Sequence, residues 1–480
     1  MSGVWKSVAD YVHSLGLDAY VVGGAVRDEL LGLPVLEMDF VVPGVGHAEL
    51  RAALEPHGKV EDLVVAEQRI GVRLVPRDRE ARALQPAGIE FAPPRVERST
   101  GPGRHDFEIA ADASISLTED MVRRDFTVNA IARRLETGEL LDPLGGRTDL
   151  ANRILRTTSP TSFRDDPLRI VRGLRFVSQL GFDPDPETER QMREWAPRIE
   201  YVAGERIGGG LASDGMGELS KLLLGVEPAR ALRLARDTGA LVQILPELEP
   251  AIGFDQESRY HELPLDEHLV AVVQATANAD APLEVRLAAL LHDAGKPESA
   301  WRGKDGRLHF YANPTLGKRS HEELGADLAS TALARLRYPT RLRAAVRKLV
   351  REHMFDIPAR ALPVRARRFL SRHGEVAAFD LVAHKDADLR GKRVAESEQT
   401  RAELERLARF REALEQERTG AYRLKDLAVD GSDLIELGWT PSPALGWALA
   451  QLLHQVIGNP ELNTRARLLA EAERLLARAG

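Results

Sequence analysis

The sequence contains no cysteine, which excludes disulfides, thiolate metal sites and a cysteine nucleophile, and weakly favours the cytoplasm. Aromatic residues make up only 5%, too few for stacking platforms across many bases. No apolar run approaches the roughly 20 residues needed to cross a bilayer. The N-terminus, MSGVWKSVADYVHSLG, is amphipathic and lacks the apolar block of a signal peptide. These absences predict a cytoplasmic protein with no membrane partner. A formal net charge of −7 excludes a chain that coats nucleic acid over its whole surface, while leaving room for a local basic face. There is no internal repeat or low-complexity tract. What remains is 480 residues of ordinary globular composition, 43% hydrophobic and 29% charged. That length suits about three domains, each with its own core.

The informative stretch is AYVVGGAVRDELLGLPVLEMDFVV, residues Ala19 to Val42. It reads as a strand (Ala19 to Val22), a Gly23-Gly24 turn, a helix (Ala25 to Leu31) and a second strand carrying Glu37 and Asp39. Glycines allow close approach of the backbone to a phosphate, and the helix start behind them offers free N–H groups. Period-two geometry puts Glu37 and Asp39 on one face, with Met38 and Phe40 on the other. Adjacent carboxylates repel and stay ionised most easily beside a divalent cation, so the pattern points to phosphoryl or nucleotidyl transfer. Solvated acids on an ordinary strand–turn–helix unit are the competing reading. Further strands are expected at Asp62–Val65, Gly71–Leu74 and Ile89–Phe91. Glu90, flanked by apolar residues, is either a third carboxylate for the same metals or a surface acid on an edge strand. Pro93 to Asp112 is rich in Pro, Gly and charge and reads as a mobile loop. Arg123-Arg124-Asp125-Phe126-Thr127-Val128-Asn129-Ala130 reads as the opening of a helix. Its arginines suit triphosphate oxygens and its Asn a ribose hydroxyl, although a salt-bridge cluster at a helix start fits equally.

Together, Gly23 to Asp28, the Glu37/Asp39 pair and RRDFTVNA resemble the bacterial tRNA nucleotidyltransferases and poly(A) polymerases. These form the class II branch of the polymerase-β-like nucleotidyltransferases. LDPLGGRTDL (Leu141–Leu150) and FRDDPLRIVRGLRFVSQLGF (Phe163–Phe182) extend the resemblance. It implies an α+β protein. A nucleotidyltransferase head with a mixed sheet (1–150) would precede an all-α neck (151–252), an HD-type metal domain (253–395) and a helical body (396–480). Arg169, Arg172 and Arg175 recur every third residue along one helical stripe, three residues after Asp166. A carboxylate accepts the amino group of cytosine or adenine while a guanidinium donates to the neighbouring ring nitrogen, and guanine and uracil fail that test. The resemblance implies that these four residues select CTP and ATP. Asp166-Pro167 is also a sound helix N-cap. Two departures stand out: Glu37 replaces the usual first metal Asp, and Asp165 the usual Glu before the base-reading Asp. A glycine-expanded break from Ile207 to Glu218 interrupts the expected helix of the neck.

The third unit is marked by His268, His292-Asp293, His321, His353 and Asp388. Imidazole and carboxylate suit borderline divalent ions. The ordered set resembles the HD phosphohydrolases, in which a metal-bound water attacks a phosphoester; a helical domain with surface histidines is the bland alternative. Some tRNA nucleotidyltransferases carry such a domain with phosphatase or 2′,3′-cyclic phosphodiesterase activity. From Arg335 to Arg372 about a dozen Lys or Arg residues face only Glu352 and Asp356, either solvated helix faces or a tRNA contact. Lys392 to Glu417 reads as a charged structural helix, and Leu424 to Asn463 resembles the family's helical body.

The resemblance thus implies template-independent synthesis or repair of the tRNA 3′-terminal CCA from CTP and ATP. Glu37, Asp39 and Glu90 would hold Mg²⁺. Gly23, Gly24, Arg27, Arg123 and Arg124 would bind the triphosphate, with Asn129 near the ribose and Asp125 also among the nucleotide-binding residues. The HD residues would hold a metal such as Mn²⁺, Ni²⁺ or Fe²⁺. A poly(A) polymerase, an enzyme adding only CC or only A, and a hydrolase with a non-catalytic head remain alternatives.

Overall fold

Alternating burial through Glu37 (exposed), Met38 (buried), Asp39 (exposed) and Phe40 (buried) sets the architecture around the first site. The computed structural model describes residues 3–35, 37–65, 68–99, 107–111, 113–209, 215–257, 263–360, 362–392 and 397–479. It divides into two units, Met1–Pro246 with Arg335–Tyr338, and Glu247–Ala334 with Pro339–Gly480.

The first unit is built on β1 (Tyr20–Val22), β2 (Asp39–Val41), β3 (Gly58–Val65), β4 (Gln68–Pro76), β5 (Ile89–Ala92), β6 (Arg95–Ser99), β7 (Phe107–Ala111), β8 (Ala132–Arg134) and β9 (Leu140–Leu141). Seven of these form one sheet in the order β3-β4-β5-β2-β1-β8-β9. β2 runs antiparallel to β1 and parallel to β5, so the sheet is mixed, and the register sets Asp39 opposite Glu90. Phe40 and Phe91 point to the other face, where their rings stack at 5.4 Å within a core that includes Val26, Leu50 and Leu74. α1 (Gly24–Leu30) follows the glycine turn. On the Asp39 face, α2 (Leu117–Val122) covers Val22 and Val41 with Leu117 and Met121. Ser116 and Glu119 close a capping box that starts α2. α3 (Leu168–Leu180) buries Ile170, Val171, Leu174 and Val177 and turns its arginines the other way. α4 (Glu218–Leu223) packs beside it.

Several expectations are corrected. Glu37 precedes β2, which begins at Asp39, although the alternation of faces holds across the boundary. Arg95–Ser99 and Phe107–Ala111 pair as an antiparallel hairpin where a loop was expected; its tip, 100–106, lies outside the described residues. RRDFTVNA does not open a helix. Phe126 is extended (φ −132°, ψ 151°) and bridges Thr157, and only Thr127–Asn129 form a 3₁₀ turn. The expected break after Ile207 is present, with Gly209 bridging Met216, while Gly210 to Asp214 lie outside the described residues. The charged helix starts at Glu398, capped by Ser397, and not at Lys392.

The second unit is helical apart from a short hairpin, Trp301–Arg302 with Leu308–His309. Its first helices are α5 (Leu265–Asn278), α6 (Leu283–Leu291), α7 (His321–Arg335) and α8 (Thr340–Glu352). α9 (Pro363–His373), α10 (Glu375–Arg390) and α11 (Glu398–Glu417) follow and share a core of Leu370, Leu407, Phe410 and Leu414. α12 (Pro443–Gly458) and α13 (Arg465–Ala479) close on Leu452, Val456 and Leu468. No described helix is long and apolar enough to cross a membrane.

Removing the ring beneath Asp39 tests the role of the Phe40–Phe91 stack. Phe40→Ala is expected to lower the stability of the first unit by about 3–5 kcal/mol, and Phe40→Leu by less. Denaturant unfolding of both variants checks this order.

Candidate active sites

A cavity of about 1230 Å³ opens in the first unit. Its wall includes Gly23, Gly24, Arg27, Glu37, Asp39, Arg123, Arg124, Asp125, Asn129, Asp166, Arg169, Arg172 and Arg175. Of the residues of this unit singled out from sequence, only Glu90 is not on the wall.

Gly23 has φ +73°, and a Cβ there would stand 3.0 Å from Arg124 Nη1, so glycine is needed both for the turn and for the guanidinium beside it. Asp39 stands next to Glu90 in the register, but the Glu90 carboxylate is bound by Arg73 Nη2 at 2.5 Å. Although Asp39 opens onto the cavity, desolvation by the protein packed around its carboxyl, and then the charge of Glu90, push it above its usual range; Glu37 adds to this, while Arg124 and Arg95 oppose it. An acid raised by other acids is one whose ionised form a divalent cation would stabilise. The all-oxygen donor set suits a hard ion such as Mg²⁺.

Asp120, which the sequence reading passed over, is fully buried and organises the arginine pair. Its Oδ1 accepts from Arg123 Nη2 at 2.7 Å and its Oδ2 from Arg124 Nη2 at 2.8 Å. Burial raises its pKa, but the two guanidiniums outweigh that and hold it below the usual range. The signal was available: Asp120 precedes the arginines by three and four residues on a helix.

Asp125 plays the same part for α3. Its Oδ1 accepts from the Phe126 amide and from Asn129 Nδ2, each at 2.8 Å, and its Oδ2 from Arg172 Nε and Nη2 at 2.9 and 2.8 Å. Burial opposes ionisation here too, yet Arg172 and the Asn129 hydrogen bond hold the carboxyl well below the usual range. Asn129 Oδ1 in turn accepts from Arg27 Nη1 at 2.6 Å. Glu218, on α4, receives Arg172 Nη1 at 3.3 Å and Arg175 Nη1 at 2.9 Å. Phe176 lies under the guanidiniums of Arg175, Arg27 and Arg172 at 4.6, 5.0 and 6.0 Å. Nothing in local sequence marks Glu218, which sits 46 residues from Arg172. Asp166 makes the contact expected of a residue at a helix start and also reaches the cavity. Its Oδ1 caps the Leu168 amide at 3.1 Å, and its Oδ2 accepts from Arg206 at 3.2 Å while the side chain lines the cavity. Arg169 donates to the Arg123 carbonyl at 2.7 Å and to Ser162 Oγ at 3.0 Å.

The second unit gathers all six expected HD residues, every one buried. Two groups of donor atoms each fall within 4.8 Å: His268, His292 and Asp388, and Asp293, His321 and His353. Asp293 lies between them. Its Oδ2 is 3.2 Å from His292 Nε2 and 3.7 Å from His268 Nε2, and its Oδ1 is 3.4 Å from His321 Nε2 and 3.7 Å from His353 Nε2. Lys296 Nζ reaches Asp293 Oδ2 at 2.7 Å. Burial lowers the pKa of His268, His321 and His353, keeping them neutral. His292 is raised, because Asp293 outweighs burial. Burial also works against ionised Asp293 and Asp388, but His292 and Lys296 hold the first, and His268 and Lys392 the second, well below the usual range. Neutral imidazoles with ionised carboxylates are the ligand-competent forms, and the nitrogen-rich set suits a borderline divalent ion. His384, one helical turn before Asp388, was missed. It is fully buried and packs its ring 4.9 Å from that of His292. A cavity of about 610 Å³ faces the cluster, with Lys296, Arg307, Lys385 and Lys392 on its wall.

Asp125 gives the first unit a pH dependence of known sign. A depressed pKa contributes stability that is complete above the usual value of 3.8 and is lost as pH falls toward the folded value. Asp125→Asn is expected to cost about 2–3 kcal/mol at pH 7, less than a wholly buried pair, because Arg172 keeps 34% of its side chain exposed. The variant should also lose less stability than the parent between about pH 5 and pH 2, as read by denaturant titrations across that range.

Comparison with known proteins finds three family matches along the chain. The family described as the poly A polymerase head domain matches residues 19–156, the probable RNA and SrmB-binding site of polymerase A residues 181–252, and the HD domain residues 265–477. A multifunctional CCA protein of Nitrosococcus oceani is 38% identical over 344 residues, 70% of this chain and 74% of that protein. One from Xanthomonas campestris pv. campestris is 34% identical over 455 residues, 90% and 98% of the two chains. In fold, the chain is similar to the Bacillus stearothermophilus CCA-adding enzyme in complex with CTP, at a TM-score of 0.65 and 24% identity, covering 100% of this chain and 99% of that one. It is similar also to the Thermotoga maritima CCA-adding enzyme complexed with tRNA, at a TM-score of 0.55 and 19% identity, covering 99% and 95%. With its sheet-based head, its helical second unit and an HD domain in a single polypeptide, the chain belongs to the family of multifunctional CCA proteins.

Proposed function

We propose that this protein builds or repairs the 3′-terminal CCA of tRNA from CTP and ATP, releasing pyrophosphate, in the cytoplasm. The observation that carries the reading is the convergence on one cavity of the Gly23-Gly24 turn, the Glu37/Asp39 carboxylates and the Asp166–Arg175 stripe of α3. The chemistry divides accordingly. Glu37 and Asp39 hold Mg²⁺, with Glu90 behind them in the sheet. When bound, the ion supplies charge neutralisation at the α-phosphate and a lower pKa for the attacking 3′-hydroxyl. Gly23 and Gly24 let the backbone approach the triphosphate, and Arg27, Arg123 and Arg124 hold its oxygens. Asn129 lies near the ribose, positioned by Asp125. Asp166 has lone pairs left over from Leu168 and Arg206 with which to accept the amino group of cytosine or adenine. Arg169 donates to the ring nitrogen, and Arg172 and Arg175 orient the base from the Phe176 side.

The HD residues, His268, His292, Asp293, His321, His353 and Asp388, hold a divalent transition metal such as Mn²⁺, Ni²⁺ or Fe²⁺ for phosphoester hydrolysis. Lys296, Arg307, Lys385 and Lys392 supply the positive wall for the phosphate.

The test is extension of tRNAs lacking CCA, CA or the final A, with Mg²⁺ and CTP, ATP or both. Growth that stops at CCA on all three is expected. Long A tails would show a poly(A) polymerase, extension of one substrate only a partial adder, and no incorporation by folded protein would sink the reading. Asp39→Ala is expected to lower incorporation by about 10²–10³-fold or more. Metal-dependent hydrolysis of a model phosphodiester should persist in that variant and vanish in Asp293→Ala.

A further inference from the structure

The second unit holds another basic cavity, of about 660 Å³, that neither catalytic centre uses. Its wall is formed largely by α9 and the end of α8. α9 carries four arginines with two different fates. Arg367 is buried, with Nε donating to the Ile457 carbonyl at 2.8 Å and Nη1 pairing with Glu417 at 2.7 Å. Arg365, Arg368 and Arg372 fall within roughly 60° of one another on the helix and point away from Arg367. All three are exposed and line the cavity, and among the described residues none of their guanidiniums has a hydrogen-bond or ion-pair partner. Three like charges on one stripe repel, so this face is complete only with an anion against it.

The rest of the wall narrows what kind of anion fits. The three arginines span about 10 Å of helix, too long for a single phosphate and suited to a row of them. Phe369 forms a ring floor with Phe355 at 5.1 Å and Phe410 at 5.3 Å, and Met354 beside it is 59% exposed. Of the two acids on the wall, Glu352 is already held by His373 Nδ1 at 2.5 Å. Guanidiniums in a row above an aromatic floor match a phosphodiester chain carrying bases or riboses.

We propose that this cavity seats the RNA backbone, two or more phosphates on Arg365, Arg368 and Arg372 and one unstacked nucleoside against Phe355 and Phe369. The proposal rests on tRNA being the substrate. It is tested with the full-length chain and tRNA lacking CCA, by fluorescence anisotropy across a KCl series. Each Arg→Ala change is expected to reduce the slope of log K against log[salt] by roughly 0.7–0.9. The triple variant R365A/R368A/R372A should bind at least about tenfold more weakly in 0.1 M salt. Thermal unfolding and CTP affinity should match the parent, and the loss should appear in KM for tRNA and not in kcat. A folded triple variant with parental affinity and slope would overturn the proposal. A parent protein that does not bind tRNA at all would overturn the CCA reading, and with it this one.

Discussion

The first unit depends on the ion pair between Asp125 and Arg172. Asp125 precedes an extended Phe126, whose backbone bridges Thr157, and a single 3₁₀ turn. Its carboxylate adds to that backbone pairing, taking the Phe126 amide and Asn129 with one oxygen and Arg172 with the other. The same contact fixes how α3 is rotated about its axis, and therefore where Asp166 and Arg175 stand. Asn129 passes the constraint on to Arg27, at the start of the chain's first strand–turn–helix unit. Three segments far apart in sequence are thereby joined through one buried carboxylate. The arginines around the cavity are also held from behind by Asp120, Asp125 and Glu218 before any substrate arrives. Side chains already ordered lose less entropy when they bind an anion.

The two candidate metal centres solve the problem of buried charge in opposite ways. In the first unit, desolvation by the surrounding protein and then the neighbouring carboxylates raise Asp39, so the site disfavours its ionised form. In the second, Asp293 and Asp388 are ionised despite full burial, because imidazoles and lysines surround them. An oxygen-only set selects a hard, strongly hydrated ion, and an imidazole-rich set a softer one. The two donor sets therefore differ in the class of divalent ion that each suits.

How much of this was legible follows from the range of the interactions. Period-two alternation placed Asp39 on the face opposite Phe40, and helical spacing put Arg169, Arg172 and Arg175 on one stripe, because both depend on neighbours in sequence. The ordered histidines were found for a different reason: chemistry restricts metal ligands to few residue types. Glu218 and the Arg73–Glu90 contact were not legible, since each joins residues brought together only by the finished fold. RRDFTVNA was misread as a helix because its composition is helix-compatible, while its conformation is imposed by a bridge to Thr157, outside any local window. The pairing of Arg95–Ser99 with Phe107–Ala111 was hidden by proline and glycine, which signal a break in the chain without saying whether its flanks pair.

The scarcity of aromatic residues gains meaning from where they are spent. At 5% of the chain they cannot form the extended platforms used to bind single strands. Several instead lie beside charge. Phe176 carries three guanidiniums on and around its face, so the cations of the nucleotide cavity rest on a surface that attracts them without neutralising them. Carboxylates alone in that position would pair the arginines completely and leave little positive potential for a triphosphate. A ring's quadrupole is weak enough to be shared and stiff enough to orient. The acids therefore fix the positions of the arginines they hold, while Phe176 packs the cluster without adding negative charge, and the guanidiniums keep part of their positive potential.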